Sequence, residues 1–294
     1  MRGDGARVAR FMTVELGKYG IWRHASALTP DVAREIEALG FGAVWIGGSP
    51  PGDLRLAESL LDATDHIAVA TGIVNMWTTP AEEVAPSYHR IEKAHPGRFL
   101  LGVGIGHPEA VKEYRSPLQT IVAYLDALDA ARVPKDGRVL AALGPKVLKI
   151  AAARTAGAHP YLTTPEHTRW ARELVGPGVL LAPEQKVVLE TDPEKARAIG
   201  RPPVDRPYLH LRNYVANLER LGWTDEDFAD GGSDALIDAL AVHGDAAALA
   251  AGLNAHLEAG ADHVCAQVLT ADNADPLPAM REIAKALGLS PVRR

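Results

Sequence analysis

Short apolar segments alternate with stretches of helical period along nearly the whole chain, and this alternation limits the fold more than any other feature. Residues 13–22, 42–46, 67–74, 98–103, 138–143, 158–163, 179–188 and 263–269 read as strands. Residues 30–39, 54–64, 80–94, 114–131, 145–155, 165–175 and 276–287 read as helices. The first helix carries its own boundary signals: Thr29 as N-cap, Pro30 at the first helical position and Gly40 as the stop. Apolar strands interleaved with helices build a parallel sheet covered on both faces. Eight such units in 294 residues point to an α/β fold of the (β/α)8 or TIM-barrel type rather than an open doubly wound sheet. Residues 193–260 are mostly helical with no clear strand and read as an enlarged helical connection between strands 7 and 8. No linker or low-complexity stretch divides residues 1–294, so one domain is expected.

The charge balance narrows the function classes. A net charge of −6 is the opposite of a basic nucleic-acid footprint, so no nucleic-acid partner is expected. No run approaches the ~18 apolar residues of a membrane helix, so no membrane partner is expected either. Cys265 is the only cysteine, which excludes an intrachain disulfide and a cysteine-based metal cluster; a cytoplasmic protein and a buried thiol are expected. The pattern lacks the His-x-His of metal-dependent barrel hydrolases and any His-Glu-x-x-His, so no metal site is expected.

A barrel keeps its chemistry at the C-terminal ends of its strands. There, Gly102, Gly104 and Gly106 follow one another in Arg98-Phe-Leu-Leu-Gly-Val-Gly-Ile-Gly106. A dinucleotide fingerprint needs Gly-x-Gly-x-x-Gly entering a helix, and Pro108 interrupts that entry. The expectation is instead that bare backbone lets something flat approach the strand end. Leu143-Gly144-Pro145 and Tyr161-Leu-Thr-Thr164 each precede a helix, whose N-terminus is a ready anion site; Thr163 and Thr164 can donate to a phosphate. His107 and His24 are the candidate proton donors or acceptors, His159 is equally suited to face in or out, and Glu166-His167 reads as a capping acid followed by a surface ring. Gly47, Gly48 and Ser49 form an open wall without side-chain carbons.

The segments Arg98–Gly106, Ile67-Ala-Val-Ala-Thr-Gly-Ile-Val74, Gly157-Ala-His-Pro-Tyr161 with its continuation to His167, and Ala259-Gly-Ala-Asp-His-Val264 together resemble the bacterial luciferase-like family. The similarity runs nearly end to end, is weakest over 193–235, and is greatest to the actinobacterial F420-dependent oxidoreductases of that family. It implies a barrel that binds coenzyme F420, or alternatively FMN, at the strand ends, and a homodimer. It further implies a cis peptide at Gly72–Ile73, with Gly72, Ile73, Val74 and Asn75 backing the tricyclic ring and Gly104 and Gly106 beside it. Leu143, Gly144, Pro145, Tyr161, Leu162, Thr163 and Thr164 then hold the ribityl and phosphate portion.

One departure bears on substrate. Deazaflavin-dependent sugar dehydrogenases carry an Asp-His pair after the second strand, where this chain has Gly48-Ser49, so oxidation of a sugar phosphate is not expected. The implied activity is hydride transfer between F420 and an unidentified small-molecule substrate, with His107 first and His24 second as the group managing the substrate proton. The alternatives are an FMN-dependent monooxygenase using O2 and a non-catalytic protein that binds a flavin or deazaflavin.

Overall fold

The structure, a computed structural model, describes residues 14–106 and 116–290. Strands and helices alternate as the apolar periods require. β1 (Tyr19–His24) leads to α1 (Pro30–Ala38), β2 (Ala43–Gly47) to α2 (Arg55–Asp62), and β3 (Ala68–Thr71) with β4 (Val74–Asn75) to α3 (Ala81–Ala94). β5 (Phe99–Gly104) precedes α4 (Pro117–Ala130), β6 (Arg138–Leu140) precedes α5 (Pro145–Arg154), and β7 (Gly157–Ala158) precedes α6 (Pro165–Val175). Then come β8 (Leu180–Leu181), β9 (Glu184–Leu189), α7 (Pro193–Asp205), α8 (Arg212–Arg220), α9 (Asp225–Phe228) and α10 (Asp234–Leu240). β10 (Ala241–Gly244), α11 (Ala246–Glu258), β11 (Val264–Leu269) and α12 (Leu277–Ala286) complete the order. Thr29 caps α1 through its Oγ1, which accepts from the Val32 N–H at 3.3 Å.

The sheet runs β10-β9-β11-β1-β2-β3-β5-β6-β7-β8, with β4 on β5, and all these ladders are parallel. β8 pairs with β7 and β9 pairs with β11, and only Ala182 and Pro183 separate β8 from β9. That single segment therefore closes the sheet into the expected TIM barrel. The apolar run 179–188 is thus one barrel stave broken at Pro183, which has no N–H to give a ladder. The strand expected over 158–163 stops at Ala158. Pro160 interrupts it and Leu162 takes a left-handed φ of 55°, its N–H donating to Glu184 Oε2 at 3.0 Å.

The insertion departs from expectation in one respect: it contains a strand. β10 pairs with β9 from Ala241↔Lys186 to Gly244↔Leu189 and extends the sheet beside the barrel. Its Ala-Val-His-Gly sequence is too short to show a period. The helices before it bury their own cluster, including Val204, Leu209, Leu236 and Ile237, against Leu162.

Inside the barrel the largest fully buried side chain is Trp45. Its indole N–H donates to His263 Nε2 at 3.0 Å, and its ring stacks on His159 at 4.1 Å. Replacing a ring buried in this way by alanine costs about 3–5 kcal/mol. Cys265 is buried as expected, in the same inner cluster, and burial pushes its thiol pKa well up.

β3 and β4 are separated by a bulge at Gly72 and Ile73, and the peptide bond between those two residues is cis. The gap is sealed by Thr71, whose Oγ1 donates to the Gly102 carbonyl and accepts from the Gly102 N–H, both at 2.8 Å. A Cβ on Gly102 would lie 1.7 Å from the Thr71 carbonyl oxygen, and one on Gly104 would lie 2.8 Å from Ala141 Cβ and 3.1 Å from Ile73. The group that approaches these two glycines is therefore the chain's own bulge rather than a flat ligand.

Candidate active site

A cavity of about 670 Å3 opens at the C-terminal ends of the strands, within the range of small-molecule and cofactor sites. Trp22, Gly72 and His159 bound it on the barrel side. His159 faces inward: its Nδ1–H donates to the Ala182 carbonyl at 2.7 Å, and burial lowers its pKa to about 4, so the ring is neutral. Nε2 is then a bare acceptor, and it has no hydrogen-bond partner. The Trp22 indole N–H is also buried without a partner.

His24 borders the same cavity. Its Nδ1 accepts from the Ser26 N–H at 3.2 Å, which leaves Nε2 as the donor nitrogen. The open wall expected at Gly47-Gly48 is filled by rings from β1. A Cβ on Gly47 would lie 1.9 Å from the Trp22 ring, and one on Gly48 would lie 2.2 Å from His24 Nε2. The space freed by the two glycines is occupied by Trp22 and His24.

The cavity wall joins an apolar surface to a cationic one. Ile73, Ile105, Ala141, Ala142 and Leu143 supply the apolar part, and Asn75 and Gly106 lie at its polar margin. Gly144 is the N-cap of α5, and a Cβ there would meet nothing within 4 Å. Beyond it, Lys146 and Arg220 also line the cavity. A helix N-terminus with two cations and open space over a glycine suits an anionic group. His167 braces this corner: it is fully buried rather than on the surface, because α6 packs against α5 and brings its ring to the Leu143 carbonyl (Nε2···O 3.0 Å).

Tyr161 forms another wall, held from behind by a buried ionic network. Lys186 Nζ donates to Glu184 Oε1 at 3.1 Å, to Tyr161 Oη at 2.9 Å and to Gln267 Oε1 at 3.1 Å. The Tyr161 hydroxyl donates to Gln267 Oε1 at 2.8 Å. Burial lowers the Lys186 pKa against the opposing pull of the Glu184 carboxylate, and it raises that of Tyr161 well above 10.

Of the residues singled out from the sequence, His24, Gly72, Ile73, Asn75, Gly106, Leu143, Gly144, Pro145 and Tyr161 meet around this one cavity. Val74 and Gly104 are buried behind it, and Leu162 packs into the cluster under the insertion. Thr163 and Thr164 are buried at the start of α6, their hydroxyls without partners. His107 lies outside the described residues. Among the described residues no group of three or more His, Cys, Asp or Glu side chains could hold a metal ion. None of their helices is long and apolar enough to cross a membrane. Sequence reasoning missed Arg220 and Tyr208, which reach the cavity from the insertion, and Lys186, whose burial no local pattern announces.

Residues 20–131 match the family model of the luciferase-like monooxygenases. The match covers the chain from β1 through α4. Solved structures agree on the fold of such a barrel. The chain is similar to an F420-dependent secondary alcohol dehydrogenase in complex with an F420-acetone adduct, with TM-score 0.69 and 16% identity over 93% of this chain and 99% of that one. It is similar to the coenzyme F420-dependent tetrahydromethanopterin reductase from Methanopyrus kandleri, with TM-score 0.65 and 16% identity over 93% and 99%. It is also similar to the oxygenating constituent of 3,6-diketocamphane monooxygenase of Pseudomonas putida in complex with FMN, with TM-score 0.64 and 12% identity over 94% and 98%. No curated protein matches the sequence significantly.

Proposed function

We propose that this luciferase-like protein is an F420-dependent oxidoreductase that moves a hydride between the deazaflavin and a small organic substrate. The observation that carries this reading is that one cavity combines an apolar wall at Gly72–Ile73 with the cationic N-terminus of α5. A tricyclic ring with a phosphate tail needs both surfaces. In this reading Gly72, Ile73, Val74 and Asn75 back the ring, with Gly104 and Gly106 at the neighbouring strand end. Leu143, Gly144, Pro145 and Tyr161 receive the ribityl and phosphate portion, with Lys146 and Arg220 neutralising its charge. Leu162 sets the loop, and Thr163 and Thr164, buried at the start of α6 with unpartnered hydroxyls, are the remaining residues this reading assigns to the phosphate portion.

The deazaflavin, when bound, supplies the hydride chemistry. The protein supplies position and protonation. His24 presents Nε2–H beside Gly48 and is the group we assign to the substrate proton; His107, following Gly106, is the second candidate. Ile73, Ile105 and Leu143 keep water from the reacting face. The homodimer implied by the resemblance belongs to this reading and is checked by sedimentation.

A second reading, an FMN-dependent monooxygenase, is favoured by the description of the matching family model and by the likeness to an FMN complex. Oxygen separates the two. The F420 reading expects anaerobic turnover, followed as bleaching of oxidised F420 with a panel of alcohols. A strict O2 requirement with reduced FMN would replace it by the second.

A further inference from the structure

The unpartnered nitrogens of Trp22 and His159 lie side by side. A Cβ built on Gly72 would lie 2.9 Å from Trp22 Nε1 and 3.1 Å from His159 Nε2, so both nitrogens border the side-chain-free face of Gly72. One nitrogen is a donor and the other, with Nδ1–H committed to the Ala182 carbonyl, an acceptor. Trp22 is 8% exposed and His159 1% exposed, both line the cavity, and neither nitrogen has a partner. Buried polar groups are normally paired, so a donor and an acceptor left open side by side mark a place where a ligand completes them. A single oxygen serves both only if it accepts from the indole and donates to the imidazole, which is the pattern of a hydroxyl.

We propose that Trp22 Nε1–H and His159 Nε2 form a hydroxyl-binding pair beneath Gly72, and that the substrate is an alcohol or is turned over to one. The inference deepens the oxidoreductase reading and rests on it for the word substrate; the binding pair itself is testable without the cofactor. The two rings are held for this task. Trp22 lies on Gly47, where no side chain displaces it, and His159 is clamped between the Trp45 ring and the Ala182 carbonyl. An ether or a hydrocarbon of the same shape leaves one or both nitrogens bare, which costs affinity. A ketone satisfies only the indole, so the pair favours the alcohol side of an alcohol–ketone couple.

The test is an NMR titration of 15N-tryptophan-labelled protein with cyclohexanol, and with methylcyclohexane as the control that lacks the oxygen. It is run on the protein alone and on the protein saturated with F420. The Trp22 indole resonance is assigned by its disappearance in Trp22→Phe. We expect a downfield shift of that resonance with cyclohexanol and none with methylcyclohexane. Trp22→Phe weakens cyclohexanol about tenfold, the loss of one hydrogen bond, and leaves methylcyclohexane binding unchanged. His159→Phe, which keeps a ring against Trp45, weakens cyclohexanol similarly; if it fails to fold, the Trp22→Phe comparison still decides. If F420 alone shifts the Trp22 resonance downfield and cyclohexanol does not, the pair serves the cofactor ring edge and the proposal is overturned. If calorimetry shows that cyclohexanol binds while the Trp22 resonance stays in place, the pair holds a structural water and the proposal is again overturned. Neither result touches the F420 reading, which the cofactor titration decides.

Discussion

His24 Nε2 lies 2.2 Å from the position a Cβ would take on Gly48, so the imidazole from β1 occupies the volume that a side chain after β2 would otherwise fill. Gly48 and Ser49 supply no imidazole after the second strand, yet one stands in the adjoining space, delivered from the neighbouring strand. This relation makes Gly48 and His24 a unit. Gly48 has a φ of +79°, so Gly48→Ala adds backbone strain to the collision. We expect it to lower stability by about 1–2 kcal/mol and to abolish turnover by displacing His24, with F420 affinity unchanged. His24→Ala should lower kcat about 10²–10⁴-fold while leaving stability near wild type. Urea unfolding and anaerobic turnover measure both.

Gly102 tests the bulge. Its missing Cβ leaves room for the Thr71 carbonyl at 1.7 Å from the built position, and that carbonyl is backbone, which cannot swing aside as a side chain would. Gly102→Ala is therefore expected to cost about 3 kcal/mol or more and to lose cofactor binding together with stability. Thr71→Val, which keeps the shape and removes both hydrogen bonds, is expected to cost about 1–3 kcal/mol. Thermal unfolding in parallel ranks the two.

The barrel was legible in the sequence because parallel strands buried on both faces leave continuous apolar runs, and because boundaries such as Thr29-Pro30 carry their own chemistry. The strand ends follow from that, which is why His24, Gly72, Gly106, Gly144 and Tyr161 were placed around one cavity. What stayed hidden is tertiary. Nothing local says that Gly102 and Gly104 make way for Thr71 and Ile73 rather than for a ligand. His167 reads as a surface ring until α6 packs its first turn against Leu143. Arg220 and Tyr208 come from an insertion whose period places helices but not their approach to the cavity. β10 is four residues long and gains its ladder from β9.

The ion pair behind Tyr161 makes an asymmetric prediction. Lys186 and Glu184 are both fully buried, so removing one partner strands the other. Glu184→Gln is expected to cost about 3–5 kcal/mol, partly because the Lys186 ammonium loses its counter-charge. In the double variant Glu184→Gln with Lys186→Met the cost should be smaller than the sum of the single costs. Urea midpoints of the three variants give the coupling directly.

The buried histidines set a pH dependence. Burial lowers the pKa of His159, His167, His256 and His263 to about 4 in each case. Unfolded histidine titrates near 6.5, so between pH 6.5 and 4 the unfolded chain binds protons that the folded chain refuses. Their contribution is fully present above pH 6.5 and is lost as pH falls through that window, by up to about 3 kcal/mol per ring. The urea midpoint at pH 5 should lie well below that at pH 7. Equal midpoints would mean that the rings are accessible to protonation in the folded protein.

The central claim is a cavity built for a phosphate-tailed deazaflavin, and the most direct measurement is a fluorescence titration with oxidised F420 and, separately, FMN. Wild type and Arg220→Ala are titrated in parallel. The account predicts tight F420 binding, weaker FMN binding, and a loss of about tenfold or more in F420 affinity in Arg220→Ala, since a charge-assisted contact disappears. Tight FMN binding with weak F420 binding, or F420 binding indifferent to Arg220, would contradict it.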